Sequence, residues 1–121
     1  MTNIERALRN TVALSANVKV YVPSTVRISE NADNQAMADY ASRLMGQWFG
    51  GATQHTALGT WERKDNGQLV HEKVTIVESY ARTEQLEEHI MDVLSLAEEI
   101  KEELEQEAVS IEVNNTMYMV E

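Results

Sequence analysis

Val18, Val20 and Val22 alternate with Lys19 and Tyr21. That period of two predicts a half-buried strand, ended by Pro23. Ser24 to Ile28 either prolongs the strand or leaves it as a loop. The period then lengthens: Met37, Tyr40, Ala41, Leu44 and Trp48 fall on one helical face. Asn31 or Asp33 can cap this helix through a side-chain oxygen, and Gly50-Gly51 ends it. Thr53 to Glu62 and Leu69 to Tyr80 read as two more strands. Asp65-Asn66-Gly67 between them tolerates the backbone of a turn. A tight closure there sets opposite one another residues whose numbers sum to about 133. His71 then faces Glu62, and His55 faces Glu78. A second helix follows, capped by Thr83, with Leu86, Ile90, Val93, Leu94, Ala97, Ile100 and Leu104 as its apolar stripe. Val109, Ile111 and Val113 begin a last strand, which Asn114-Asn115 can fold back into Met117 and Met119.

The order is β-α-β-β-α-β plus one strand. It predicts an α+β, ferredoxin-like antiparallel sheet with both helices on one face and an extra C-terminal hairpin strand. Residues 1–16 stand apart as an arm or short helix, where Ile4, Ala7, Leu8 and Thr11 have helical spacing. Residues 17–121 form one domain, of a size that supports one core. The uncovered sheet face, with Trp61, Ile76 and Met117 near it, suits a homodimer.

Charge changes this picture at one place. Residues 83–107 hold ten acids and only Lys101, so they carry −9 of the chain's formal −10. An acidic surface repels nucleic acid and membranes and attracts basic partners. Direct nucleic-acid binding is therefore not expected, and neither is a membrane partner. No apolar run approaches the roughly 20 residues of a membrane span. The first residues lack the apolar stretch of a signal peptide, and a cytoplasmic protein is expected. The absence of Cys removes disulfides and thiolate chemistry.

Four short segments carry a resemblance. They are Phe49-Gly50-Gly51-Ala52-Thr53, Gly59-Thr60-Trp61, Leu69-Val70-x-Glu72-Lys73-Val74 and Gln106-Glu107-Ala108-Val109. In these the chain, from about residue 17 to 120, resembles a group of small uncharacterised bacterial proteins also carried by phages and mobile elements. The resemblance implies a ferredoxin-like sheet and a mobile-element origin, and brings no established activity.

The first candidate site is the acidic helix. Glu88, Met91, Asp92, Glu98, Glu99, Glu102 and Glu103 form a ridge that can imitate a phosphate backbone. The partner expected is a basic protein surface, such as that of a nucleic-acid-binding protein, with Met91 as an apolar contact and Trp61 as a second anchor. Glu102, Glu103, Glu105 and Glu107 are placed in the last turns, where the helix dipole disfavours acids. The bland reading of the same ridge is a solvated face. The function expected first is thus a non-enzymatic accessory protein of a phage or mobile element, or an inhibitor of a host defence system. A second reading is a protein that binds or sequesters a small, nucleotide-like ligand in a pocket at the sheet face or at a dimer interface. A third is an enzyme using His55, His71 and Glu72, which requires the three to line one pocket. No metal site is expected, because nothing guarantees that three or four ligands converge. No cofactor is expected either.

Overall fold

A computed structural model describes residues 1–26, the backbone of 30–31, and residues 33–121. The prolongation of the first strand to Ile28, and the side chain of Asn31, lie outside the described part.

The chain begins with helix α1 (Asn3–Leu8), whose Thr2 hydroxyl accepts a 3.1 Å bond from the Glu5 amide. Every residue from 1 to 15 is exposed. Strand β1 (Ala16–Pro23) follows, then the short strands β2 (Thr25–Val26) and β3 (Glu30–Asn31), which pair with each other as a separate two-stranded sheet. Helix α2 (Gln35–Phe49), strands β4 (Thr53–Glu62) and β5 (Leu69–Ala81), and helix α3 (Thr83–Glu103) come next. Strands β6 (Val109–Val113) and β7 (Thr116–Val120) close the chain. The sheet order is β4-β5-β1-β6-β7, with every neighbouring pair antiparallel. This is the α+β, ferredoxin-like arrangement, with β7 added as a hairpin strand at one edge.

Alternation along β1 decides which face is covered. Val18, Val20 and Val22 are fully buried and lie opposite Ser79, Val77 and Thr75. They join Val109 and Ile111 of β6, Met45 and Phe49 of α2, and Val93, Leu96 and Ile100 of α3 in one core. Each fully buried aliphatic side chain contributes about 1.5–3 kcal/mol of transfer free energy. The few buried polar groups are paired. Ser79, 2% exposed, donates to the Gly51 carbonyl at 2.7 Å.

Several local expectations shift. In α2 the buried residues are Ala38, Ala41, Met45 and Phe49. Met37, Tyr40, Leu44 and Trp48 flank that stripe and are only partly buried. The two sets sit about 100° apart on the helical wheel, and small alanines let the helix approach the sheet more closely than Tyr40 or Trp48 would. Leu96 joins the α3 stripe at 1% exposure, whereas Ile90 and Leu94 lie at its margin. The residue before α2 is Asn34, whose amide donates not to its own helix but to the Val22 carbonyl at 3.0 Å and Thr75 Oγ1 at 3.3 Å. Asp33 supplies the acceptor for the Gln35 amide. Arg82 takes the cap position before α3, one residue ahead of Thr83, with its amide bonded to Gln85 Oε1.

Both turns follow backbone chemistry. Gly50 ends α2 at φ +91°, donating to the Gly46 carbonyl. Asn114 and Asn115 both have positive φ, the requirement of a two-residue type I′ hairpin.

Candidate functional site

The face that α2 and α3 leave bare is built by the alternate residues of each strand. From β1 it receives Asn17, Lys19, Tyr21 and Pro23, and from β5 it receives Glu72, Val74, Ile76 and Glu78. Strand β4 contributes His55, Ala57, Gly59 and Trp61, and β6 and β7 contribute Ser110, Glu112, Met117 and Met119. One contact turns this face into a cleft. Lys64, in the loop after β4, pairs at 2.9 Å with Glu121, just beyond β7. Strands β4 and β7 are opposite edges of the sheet, so the sheet curls until the β4–β5 hairpin meets the far edge. Right-handed strand twist accumulated over a 13-residue β5 supplies the curl.

The cleft has a volume of about 690 Å³. Its walls are largely apolar: Tyr21, Pro23, Trp61, Val74, Ile76, Met117 and Met119. Four carboxylates also line it, those of Glu62, Glu72, Glu107 and Glu121, and Glu72 is the one bonded to Trp61. Glu72 accepts a 3.0 Å bond from the Trp61 indole N–H on one oxygen and a 2.9 Å bond from the Thr25 hydroxyl on the other. Thr25 is in turn held by Gln106, whose amide donates to the Thr25 carbonyl at 2.8 Å. Both Glu72 oxygens are thus fixed while each keeps acceptor capacity. A flat aromatic wall, two thioethers and a fixed carboxylate can hold a small, partly apolar molecule that offers hydrogen-bond donors to the acid.

Beside the cleft the same face becomes polar. The Tyr21 hydroxyl donates to Glu112. Lys19 lies between Glu112 at 3.5 Å and Glu78 at 3.8 Å. Glu78 also accepts from Asn17 at 3.0 Å and meets His55 Nε2 at 2.9 Å. Burial, and then the bond to Glu112, push the Tyr21 phenol up to about 12. Burial also pushes the Glu78 carboxyl up, but Asn17, His55 and Lys19 together outweigh it and leave it below the usual carboxylate range.

The sequence candidates are scattered. His55 and Glu72 share the open face, but the register places His71 opposite Thr60 on the other face, with 3.1 Å between Nδ1 and Oγ1. The three therefore do not line one pocket. The register sums to 131, because the connection runs over residues 63–68 rather than closing tightly. His71 loses Glu62 as its neighbour, whereas His55 reaches Glu78 along a diagonal. Glu88, Met91, Asp92, Glu98, Glu99, Glu102 and Glu103 are all exposed along α3, and Met91 is 69% exposed. Trp61 is separated from them by the sheet, so it cannot share a single docking surface with them. Glu105 and Glu107 lie beyond the helix, which ends at Glu103; Glu105 has φ +49°. The dipole argument therefore applies to Glu102 and Glu103 alone. Among the described residues, no group of three or more His, Asp or Glu is placed to hold a metal ion, and no helix is long and apolar enough to cross a membrane.

The fold has solved counterparts. A phage SAM lyase in complex with S-methyl-5'-thioadenosine matches with a TM-score of 0.66 and 16% identity, over 91% of this chain and 92% of that one. A phage SAM lyase in the apo state matches with a TM-score of 0.64 and 19% identity, over the same shares. No protein-family model matches the chain, and no curated protein sequence does. At these identities the likeness establishes the fold. The solved counterparts are phage proteins, and one of them holds a small nucleoside ligand.

Of the cleft residues, Trp61, Ile76 and Met117 stand out in the sequence as an apolar sheet face and Glu72 as a candidate acid, each for another role. Lys19, Tyr21, Glu78 and Glu112 looked like the solvent side of alternating strands. The usable signal was that single charges interrupt otherwise apolar runs, Glu78 after Val74-Thr75-Ile76-Val77 and Glu112 between Ile111 and Val113.

Proposed function

We propose that this chain binds S-adenosylmethionine in the cleft of the open sheet face and cleaves it as a lyase, releasing S-methyl-5'-thioadenosine. The observation that carries the reading is the cleft itself: about 690 Å³, walled by Trp61, Val74, Ile76 and Met117, with Glu72 fixed inside. The likeness, over 91% of the chain, to a phage SAM lyase that holds the thionucleoside supports it.

The chemistry asks little of the protein in acids and bases. A sulfonium leaves as a neutral thioether, so the departing sulfur needs no proton. The carbon–sulfur bond breaks and its electron pair goes to sulfur. As it breaks, the four-carbon fragment's own carboxylate oxygen attacks that carbon and closes a lactone ring, so the step balances with no proton transferred. What remains for the chain is to hold the nucleoside, orient the fragment and limit water, effects that come from positioning. Glu72 and Trp61 are assigned the nucleoside. The test is to incubate the purified protein with S-adenosylmethionine and follow thionucleoside release by chromatography, with Glu72→Gln and Trp61→Ala alongside. Release by the parent chain and its loss in both variants is expected. An inert parent chain that also fails to bind S-methyl-5'-thioadenosine sinks the reading.

A second reading keeps the acidic helix as a docking ridge for a basic protein. Met91, 69% exposed between Glu88 and Asp92, favours it, because an apolar side chain has no solubilising role there. Reversal of Glu98, Glu99, Glu102 and Glu103 to lysine should abolish capture of such a partner. Capture that persists unchanged and without salt dependence removes this reading.

A further inference from the structure

The polar half of the open face is an unusual thing for a sheet to carry. Lys19 is only 27% exposed at its side chain, and Glu78 and Glu112 are 15% and 18% exposed. A half-buried ammonium normally gives its three N–H groups to acceptors at about 2.7–3.2 Å. Lys19 instead stands at 3.5 and 3.8 Å from its two carboxylates, and among the described residues it makes no hydrogen bond. The carboxylates are positioned by other groups: Glu112 by the Tyr21 hydroxyl, and Glu78 by Asn17 and His55. The result is a cation with uncommitted donors between two anchored anions, summing to one negative charge.

This cluster adjoins the cleft directly. Tyr21 and Ile76 line the cleft, and Lys19 and Glu78 are the next residues along β1 and β5 on the same face. One such step is about 7 Å, the reach of a short aliphatic chain. Resting on the cleft reading above, we infer that Lys19, Glu78 and Glu112 form the receptor for the zwitterionic α-amino-acid arm of the ligand. Lys19 takes the arm's carboxylate, and Glu78 and Glu112 take its ammonium. The nucleoside occupies the apolar half and the arm the charged half. The face then discriminates between ligands with the arm and the thionucleoside without it. Such a site retains the substrate and lets the product go. The charge balance agrees. The sulfonium nucleoside with its arm is a net monocation, matching the cluster's single negative charge, whereas the armless thioether is neutral.

The experiment is calorimetric titration with two non-reacting probes, S-adenosylhomocysteine, which has the arm on a neutral sulfur, and S-methyl-5'-thioadenosine, which lacks it. The parent chain should bind the first at least about tenfold more tightly. Lys19→Met and Glu112→Gln should each lower that affinity about tenfold while leaving the second probe within about twofold; the second probe thereby reports an intact cleft. Equal affinity of the parent for both probes overturns the inference and leaves the cleft reading standing. So does an equal loss of both probes in a variant that melts like the parent. Binding of neither probe by the parent overturns the cleft reading and the inference together. Should Lys19→Met fail to fold, Glu112→Gln decides.

Discussion

Tyr21→Phe isolates one bond at the centre of the open face. The ring stays in the cleft wall and only the hydroxyl that donates to Glu112 is lost. A hydrogen bond to an ionised acceptor is worth about 1.5–3 kcal/mol when buried. Glu112 is 18% exposed at its side chain and retains Lys19 at 3.5 Å, so the lower end, about 1–2 kcal/mol, is expected. At this chain length each kcal/mol moves the melting midpoint by roughly 3–5 °C. Thermal and urea melts at neutral pH should therefore show a loss of several degrees with an unchanged denaturant slope. The same pair predicts a pH signature. The phenol is raised from 10.0 to about 12 in the folded protein. Its contribution is full below 10 and is lost as pH rises through 12. The near-UV titration of the parent minus that of the variant isolates Tyr21 from the other tyrosines. It should show ionisation near 12. A midpoint at the ordinary phenol value, together with an unchanged melt, would refute the assigned bond.

Three further outcomes test the fold around the site. Leu96→Ala should cost about 2–5 kcal/mol, as for any fully enclosed leucine, and Leu94→Ala clearly less, since Leu94 lies at the core margin; urea melts of the two rank them. Asn115→Gly should stabilise by several tenths of a kcal/mol to about 1 kcal/mol, because Asn115 sits at φ +70° in a turn that favours Asn-Gly. Removal of residues 1–15, all exposed, should leave the melting midpoint within about 2 °C of the parent.

The alternation of Val18, Val20 and Val22 and the repeat in α3 made the sheet and its covered face legible, because burial on one side writes itself into the period. Asn114-Asn115 and Gly50 were legible for a different reason: positive φ restricts the residue type. What escaped was set by tertiary geometry. The face of α2 was misjudged because the bulk of Met37, Tyr40, Leu44 and Trp48 suggests burial, whereas Ala38, Ala41, Met45 and Phe49 face the core and only Ala41 is common to both sets. The β4–β5 register was two residues off because the loop over 63–68 is longer than its Asn-Gly signal suggested. That error kept each residue on its own face, since the side-chain period is two. The open face was legible as a place for a small ligand, but the shape of the cleft was not. It depends on the sheet curling far enough for Lys64 to meet Glu121, and no local pattern encodes contact between two opposite edges. The charged cluster draws one residue from each of three strands, Lys19 from β1, Glu78 from β5 and Glu112 from β6, each unremarkable alone.

The two indole N–H resonances give the most direct test of the central claim. Trp61 donates to Glu72 within the cleft, and Trp48 stacks on His89 at 5.8 Å on the other side of the sheet. Titration with S-methyl-5'-thioadenosine, followed by nitrogen–proton correlation spectra, should shift the Trp61 signal saturably and leave that of Trp48 in place. A Trp61 signal that stays fixed at saturating nucleoside, or a shift confined to Trp48, contradicts a nucleoside site on the open face.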